Sequence, residues 1–228
     1  MFQQFGDSYS AAFDLSNVIA GLEQFGARLA LDQIGTRRLY RRDAKIYAEG
    51  DAADCWFRVI SGTVRLIKLL ADGRRHIAEF CFAGDCFGLN EQETRVFAAE
   101  AVGNAIVMRF SRPATRRLLD TSPELARQFC AVMVHDLTHA QTRMLLLARM
   151  TATERVATFL LELSDRRGGS RVIELPMSRG DIADYLGLTL ETVCRVLSGF
   201  KRDGIIAMPV PQRIELIDRD ALTALCDA

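Results

Sequence analysis

The chain has 228 residues, with 29 Lys+Arg against 29 Asp+Glu and an apolar share of 49%. That length gives one large or two small domains with a packed core, and balanced charge at this hydropathy excludes a disordered chain. No stretch approaches the ~18 apolar residues of a membrane span, MFQQFGDSYS lacks a signal peptide's start, and the six cysteines form no CxxC pair.

These features lead us to expect a cytoplasmic protein with reduced thiols, no metal centre, no cofactor and no membrane partner. Residues 1–35 form a mixed N-terminal segment in which Leu15 to Phe25 reads as a short helix entered near Asp14 or Ser16. Over 36–111 the short apolar runs Trp56 to Ile60, Val64 to Leu70 and Ala105 to Phe110 alternate with glycines at 50, 62, 73, 84 and 88. That punctuation predicts an antiparallel β-roll, with Asp72-Gly73 as a hairpin turn. Pro113 suits the first turn of a helix, and Thr121-Ser122-Pro123-Glu124 interrupts or restarts it.

Within residues 112–149, Ala126, Cys130, Met133, Leu137, Ala140, Met144 and Leu147 follow a 4,3,4,3,4,3 spacing. This heptad seam suits a partner helix in a homodimer; the plainer alternative is a helix packed on its own domain. Phe129, Val132 and Leu146 lie off the seam, so one helix can serve both surfaces. Thr151 and Glu154 resemble a capping box opening a helix from Arg155 to Leu163, which ends near Gly168-Gly169. Val172 to Leu175 reads as a short strand.

Residues 177–203, MSRGDIADYLGLTLETVCRVLSGFKRD, are the most informative stretch of the region 150–228. Ser178 caps a two-turn helix with Asp181 three residues on, and Ile182, Ala183 and Leu186 form its inner face. Gly187 supplies a tight turn, Leu188 a buried plug, and Thr189 the cap of a second helix with Val193, Val196, Leu197 and Phe200 inward. Helix, glycine turn and second helix make a helix-turn-helix. Strands Ile205 to Met208 and Arg213 to Ile217, around Pro209 to Gln212, complete a winged form.

Glu191, Cys194, Arg195 and Ser198 share the outer side of the second helix. Arg can pair with guanine O6/N7 and Glu can accept from cytosine N4, each discriminating by roughly 1–3 kcal/mol. The plainer alternative is a solvated surface with a Glu191–Arg195 ion pair. The complete turn signature favours double-stranded DNA as the partner, with Leu190, Glu191, Cys194 and Arg195 as base readers. Ser178, Arg179, Thr189, Thr192, Ser198 and Lys201 are the candidate phosphate contacts. From Arg149 onward there are 11 basic and 12 acidic residues, so the salt dependence of binding should be moderate.

The glycine pattern of the roll (EGD at 49–51, ISG at 60–62, ADG at 71–73, AGDCFG at 83–88) and MSRGDIADYLGLTLETVCR resemble the CRP/FNR family of bacterial transcription regulators over residues 35–225. The Glu191/Arg195 face and the lack of an N-terminal cysteine cluster look most like its FixK branch. The resemblance implies an α+β fold: β-roll like a cyclic-nucleotide-binding domain, long dimerisation helix, winged helix-turn-helix. It also implies a non-enzymatic activator of low-oxygen respiration or nitrogen-fixation genes. Its homodimer would bind an inverted repeat like TTGA-N6-TCAA, with half-sites roughly 10–11 bp apart.

Cyclic-AMP-binding relatives carry a glutamate after the FG of the roll and an Arg-Ser pair beyond it; here the matching positions read Leu89 and Arg95-Val96, with Phe97 placed to fill the cavity. Neither a cyclic nucleotide nor, with no cysteine before Cys55, an iron–sulfur cluster is expected. Cys81 and Cys86 read as core thiols and His76 as a solvated residue. Cys194 stands where relatives often carry a small residue. It is either a plain DNA contact or a redox switch whose thiolate is favoured by Arg195 and the helix N-terminus. By position, Asp72, Gly73, Arg74 and Arg75 resemble the loop that meets RNA polymerase. Rival readings are a repressor, a regulator gated by an unknown small molecule, and a cupin-like metal enzyme. The last needs converging histidines, whereas the roll has only His76, with His135 and His139 on the long helix.

Overall fold

A computed structural model describes residues 31, 33–89 and 92–226, leaving out the side chains of 135, 136, 139, 142, 145 and 146. The expected helix from Leu15 to Phe25 therefore lies outside the described residues. The chain divides into two compact units, the first ending at Val134 and the second starting at His135.

Among the described residues the first unit has eight strands: β1 (Gly35–Tyr40), β2 (Lys45–Tyr47), β3 (Cys55–Ser61), β4 (Val64–Leu69), β5 (Arg75–Cys81), β6 (Cys86–Phe87), β7 (Ala98–Ala101) and β8 (Ala105–Ser111). They pair antiparallel in two sheets, ordered β1-β8-β3-β6 and β2-β7-β4-β5. The predicted roll is thus present. Between its sheets lie Cys55, Phe57, Val59, Val64, Cys81, Phe87, Ala99, Ala101, Ala105 and Val107. Gly73 adopts φ 82° in the β4–β5 turn, where a side chain would be strained.

Strand β3 is buried on both faces, which is why Trp56 to Ile60 does not alternate and is apolar at every position but Arg58, itself buried. Its odd residues face the roll interior. Trp56 turns outward, stacks on Phe110 at 4.1 Å, meets the edge of Phe129 at 5.7 Å, and donates from its indole N–H to Thr115 Oγ1 at 2.9 Å. Helix α1 (Arg112–Thr121) starts with Pro113 in its first turn, and Ser122 separates it from α2 (Pro123–Arg149). Phe129 and Val132 of α2 join the Trp56 cluster, as the off-seam positions predict; the side chain of Leu146 is not described.

The second unit contains α3 (Ala152–Asp165), β9 (Val172–Glu174), α4 (Arg179–Leu186), α5 (Leu190–Arg202), β10 (Ile206–Val210), β11 (Arg213–Leu216) and α6 (Arg219–Cys226). The capping box at Thr151 and Glu154 is formed, and α3 buries Val156, Phe159, Leu160 and Leu163. The three-stranded sheet β10-β11-β9 places Ile173, Ile206, Ile214 and Leu216 in the same core. The expected strand after Ile205 is longer than its sequence indicates. Pro209 sits inside β10, at a register shift between Ala207 and Val210 where no ladder N–H is needed.

Candidate nucleic-acid interface

Helix α4 begins at a complete capping box. Asp181 N–H donates to Ser178 Oγ at 3.0 Å, and Ser178 N–H donates to Asp181 Oδ2 at 3.2 Å. Asp181 is buried, so this box fixes the helix start rather than decorating it. Gly187 ends the helix at φ 64°, ψ 37°, the left-handed geometry that a Cβ disfavours. Thr189 caps α5 by accepting from Thr192 N–H at 3.2 Å. Ile182, Ala183, Leu186, Val193, Leu197 and Phe200 are buried as expected, while Leu188 and Val196 are only half-buried and so are correspondingly weaker plugs.

The outer face of α5 is open. Leu190, Glu191, Arg195, Ser198 and Lys201 are exposed, and Thr192 and Cys194 are half-buried. The expected alternative of a Glu191–Arg195 ion pair is not formed: Arg195 has no hydrogen bond or salt bridge among the described residues. The Glu191 carboxyl is held below its ordinary value by its own backbone amide at the helix N-terminus and by the Thr189 hydroxyl, so it stands ionised. Lys201 and Arg202 lie in the last turn, where cations suit the helix dipole.

Arg179 does not project freely from the start of α4. Its Nη1 donates to Cys194 Sγ and its Nη2 to Met208 Sδ, each at 3.7 Å, so one guanidinium ties α4, α5 and the wing strand together. The cation in contact with the Cys194 thiol is therefore Arg179, where the sequence pointed to Arg195. The partners are 15 and 29 residues away, and no local spacing betrays them.

The heptad positions are open on the single chain: Cys130, Met133, Leu137, Ala140 and Met144 are exposed, Ala126 and Leu147 half-buried. At the roll hairpin, Arg74 pairs with Asp72 at 2.7 Å beside the turn of Gly73, while Arg75 opens β5.

At the positions that match a nucleotide site, Leu89 is buried. Arg95 is 3% exposed, turned onto its own backbone: Nη1 donates to Gly88 O at 3.1 Å and Nη2 to Cys55 O. The Arg95 guanidinium lies 4.4 Å above the Tyr47 ring. Phe97, expected to fill the cavity, is only half-buried; Phe57 and Phe87 lie in the roll core with Tyr47 packed on it, and Tyr47, Phe57 and Arg95 still line a pocket of about 300 Å³. Among the described residues no group of three or more His, Cys, Asp or Glu is placed to hold a metal ion. No described helix is long and apolar enough to cross a membrane.

Residues 37–122 match the family model of the cyclic nucleotide-binding domain, and 154–225 that of the Crp-like helix-turn-helix domain. The chain belongs to the CRP/FNR family of transcription regulators. It is accordingly a regulator and not an enzyme, which removes the cupin-like reading. Among curated CRP/FNR relatives, the nitrogen fixation regulation protein FixK of Azorhizobium caulinodans is 43% identical over 197 residues, covering 84% of this chain and 79% of that protein. The FixK protein of Rhizobium meliloti is 38% identical over 188 residues, covering 82% and 86%. The solved structure of FixK2 from Bradyrhizobium japonicum superposes with a TM-score of 0.80 at 43% identity, covering 84% of this chain and 97% of that one.

Proposed function

We propose that this protein is a homodimeric transcription activator of low-oxygen respiration or nitrogen-fixation genes, binding an inverted repeat like TTGA-N6-TCAA in the cytoplasm. The observation that carries the reading is the open α5 face, on which exposed Glu191, held only by its own helix N-terminus and Thr189, stands beside Arg195, which has no hydrogen bond or ion pair among the described residues. On this reading Arg195 pairs with guanine and Glu191 accepts from cytosine, with Leu190 and Cys194 making weaker contacts. Ser178, Arg179, Thr189, Thr192, Ser198 and Lys201 hold the phosphate backbone. Residues 36–111 serve as a sensor-like roll, 112–149 as the dimerisation helix and 150–228 as the DNA-binding domain. The exposed seam from Ala126 to Leu147 joins two copies, and the Asp72–Arg75 turn meets RNA polymerase. FixK relatives support the choice of target genes.

The roll works without cyclic nucleotide. Arg95 is already bonded to Gly88 O and Cys55 O, and buried Leu89 offers a ribose no acceptor. Oxidation of the Cys194 thiol by two equivalents of peroxide, each reduced to water, gives a sulfinate whose negative charge lies beside Arg179 and the DNA and releases the site.

Selection of duplexes from a random pool by purified protein, with and without reductant, tests this reading. Enrichment of an inverted repeat without any added nucleotide is the expected result, and loss of the enrichment when reductant is withheld. Recovery of no common sequence from the reduced protein would overturn it.

A further inference from the structure

The joint between α2 and α3 is two residues long, Met150 and the cap Thr151. A helix C-terminus leaves its last carbonyls without intrahelical donors and carries a partial negative charge. Here two such ends, those of α2 and α4, converge on one side chain. Arg155, in the first turns of α3, donates from Nη2 to Leu147 O at 3.0 Å, from Nε to Met150 O at 3.0 Å and from Nη1 to Leu186 O at 2.9 Å. All three guanidinium nitrogens are thus spent on carbonyls of α2, of α4 and of the joint between α2 and α3. A second guanidinium repeats the link: Arg143 of α2 donates to Tyr185 O at 2.9 Å and lies 3.5 Å from the centroid of the Tyr185 ring. Tyr185 is itself buried against Phe159 of α3.

We infer that Arg155, seconded by Arg143, is a positioning residue that fixes the angle between the C-terminal part of α2 and the helix-turn-helix. It thereby sets the distance at which two recognition helices are presented to DNA. The inference rests on the proposed dimer bound to an inverted repeat. A planar guanidinium suits the role because its donors point in fixed directions, whereas an ammonium satisfies one carbonyl as well as another. The energetic gain is one of pre-organisation. When the second recognition helix arrives at the correct separation, its binding is intramolecular and the apparent affinity multiplies; when the angle is loose, that gain falls.

The experiment compares the unsubstituted chain with Arg155→Ala and Arg155→Lys on three kinds of duplex. These are a single half-site, the selected inverted repeat, and repeats with one or two base pairs added to or removed from the spacer. Circular dichroism first establishes that each variant is folded. The expected result is half-site affinity within twofold of the unsubstituted chain for both variants. On the full repeat the alanine variant should lose at least tenfold, with its preference for one spacer length flattened. Lysine, which keeps the charge and one bond, should fall between and covers the case in which the alanine variant does not fold. Equal losses on half-site and full repeat would overturn the inference, because the side chain would then only support the fold. Unchanged spacer preference in both variants would overturn it as well. Failure of the unsubstituted chain to prefer any half-site would instead strike the DNA reading itself and take the inference with it.

Discussion

Replacing Arg195 with alanine separates recognition from folding. The side chain is exposed and has no hydrogen bond or ion pair among the described residues, so its truncation should change unfolding free energy by no more than about 0.5 kcal/mol. Its whole value lies in the complex. One bidentate contact to guanine is worth about 1–3 kcal/mol, or roughly five- to 150-fold in Kd per half-site. A dimer on a palindrome makes the contact twice, so the full site should lose about 2–6 kcal/mol, while duplexes already altered at that guanine lose almost nothing. Fluorescence anisotropy on the selected site, the guanine-substituted site and a scrambled duplex reads these three numbers directly. Lys201→Ala is the control: as an exposed phosphate contact it should weaken all three duplexes about equally and lower the salt slope by about 1. If Arg195→Ala weakened the scrambled duplex as much as the selected one, the assignment of Arg195 as a base reader would be wrong.

Other outcomes follow from the same geometry. Cys194→Ser should retain DNA binding and lose its sensitivity to peroxide; continued inactivation by peroxide in gel-shift assays would place the reactive thiol elsewhere. Trp56→Ala should cost about 3–5 kcal/mol in urea unfolding, since it empties the space against Phe110 and Phe129 and leaves Thr115 Oγ1 without its donor. A change below about 1 kcal/mol would show that the outward cluster is not a core. The Asp54 carboxyl is held below its usual range, first by the Cys55 thiol and then by the Arg109 guanidinium. A depressed carboxylate stabilises the fold above its unfolded value of about 3.9, and that contribution disappears as pH falls through the folded value. The stability difference between the unsubstituted chain and Asp54→Asn should therefore be present at neutral pH and vanish in acid; a difference that grew on acidification would reverse the sign.

Features written in local spacing were legible in the sequence. The two caps at Ser178 and Thr189 and the left-handed Gly187 each need only a neighbour three or four residues away, and they fix the reading helix within a residue of its observed start. The off-seam set on α2 was equally plain, because Phe129 and Val132 obey helical periodicity. What escaped depends on chain segments meeting from afar. Arg155 follows a capping box that explains Glu154 fully, and nothing nearby announces that its guanidinium closes onto Leu147, Met150 and Leu186. The sulfur partners of Arg179 come from α5 and β10, so its tie between those elements is invisible to local spacing. Pro209 read as a turn because proline ordinarily stops a strand, and only the register shift in β10 accommodates it.

Strand β3 is a party wall. Cys55, Phe57 and Val59 look into the roll, Trp56 looks toward the helices, and the backbone between them pairs with β8 as Trp56 with Phe110 and Phe57 with Arg109. Because the two neighbourhoods share a ladder but no side chains, evolution can refurnish one room without consulting the other. A substitution among Tyr47, Phe57 and Phe87 therefore leaves the Trp56, Phe110 and Phe129 stack behind the wall in place.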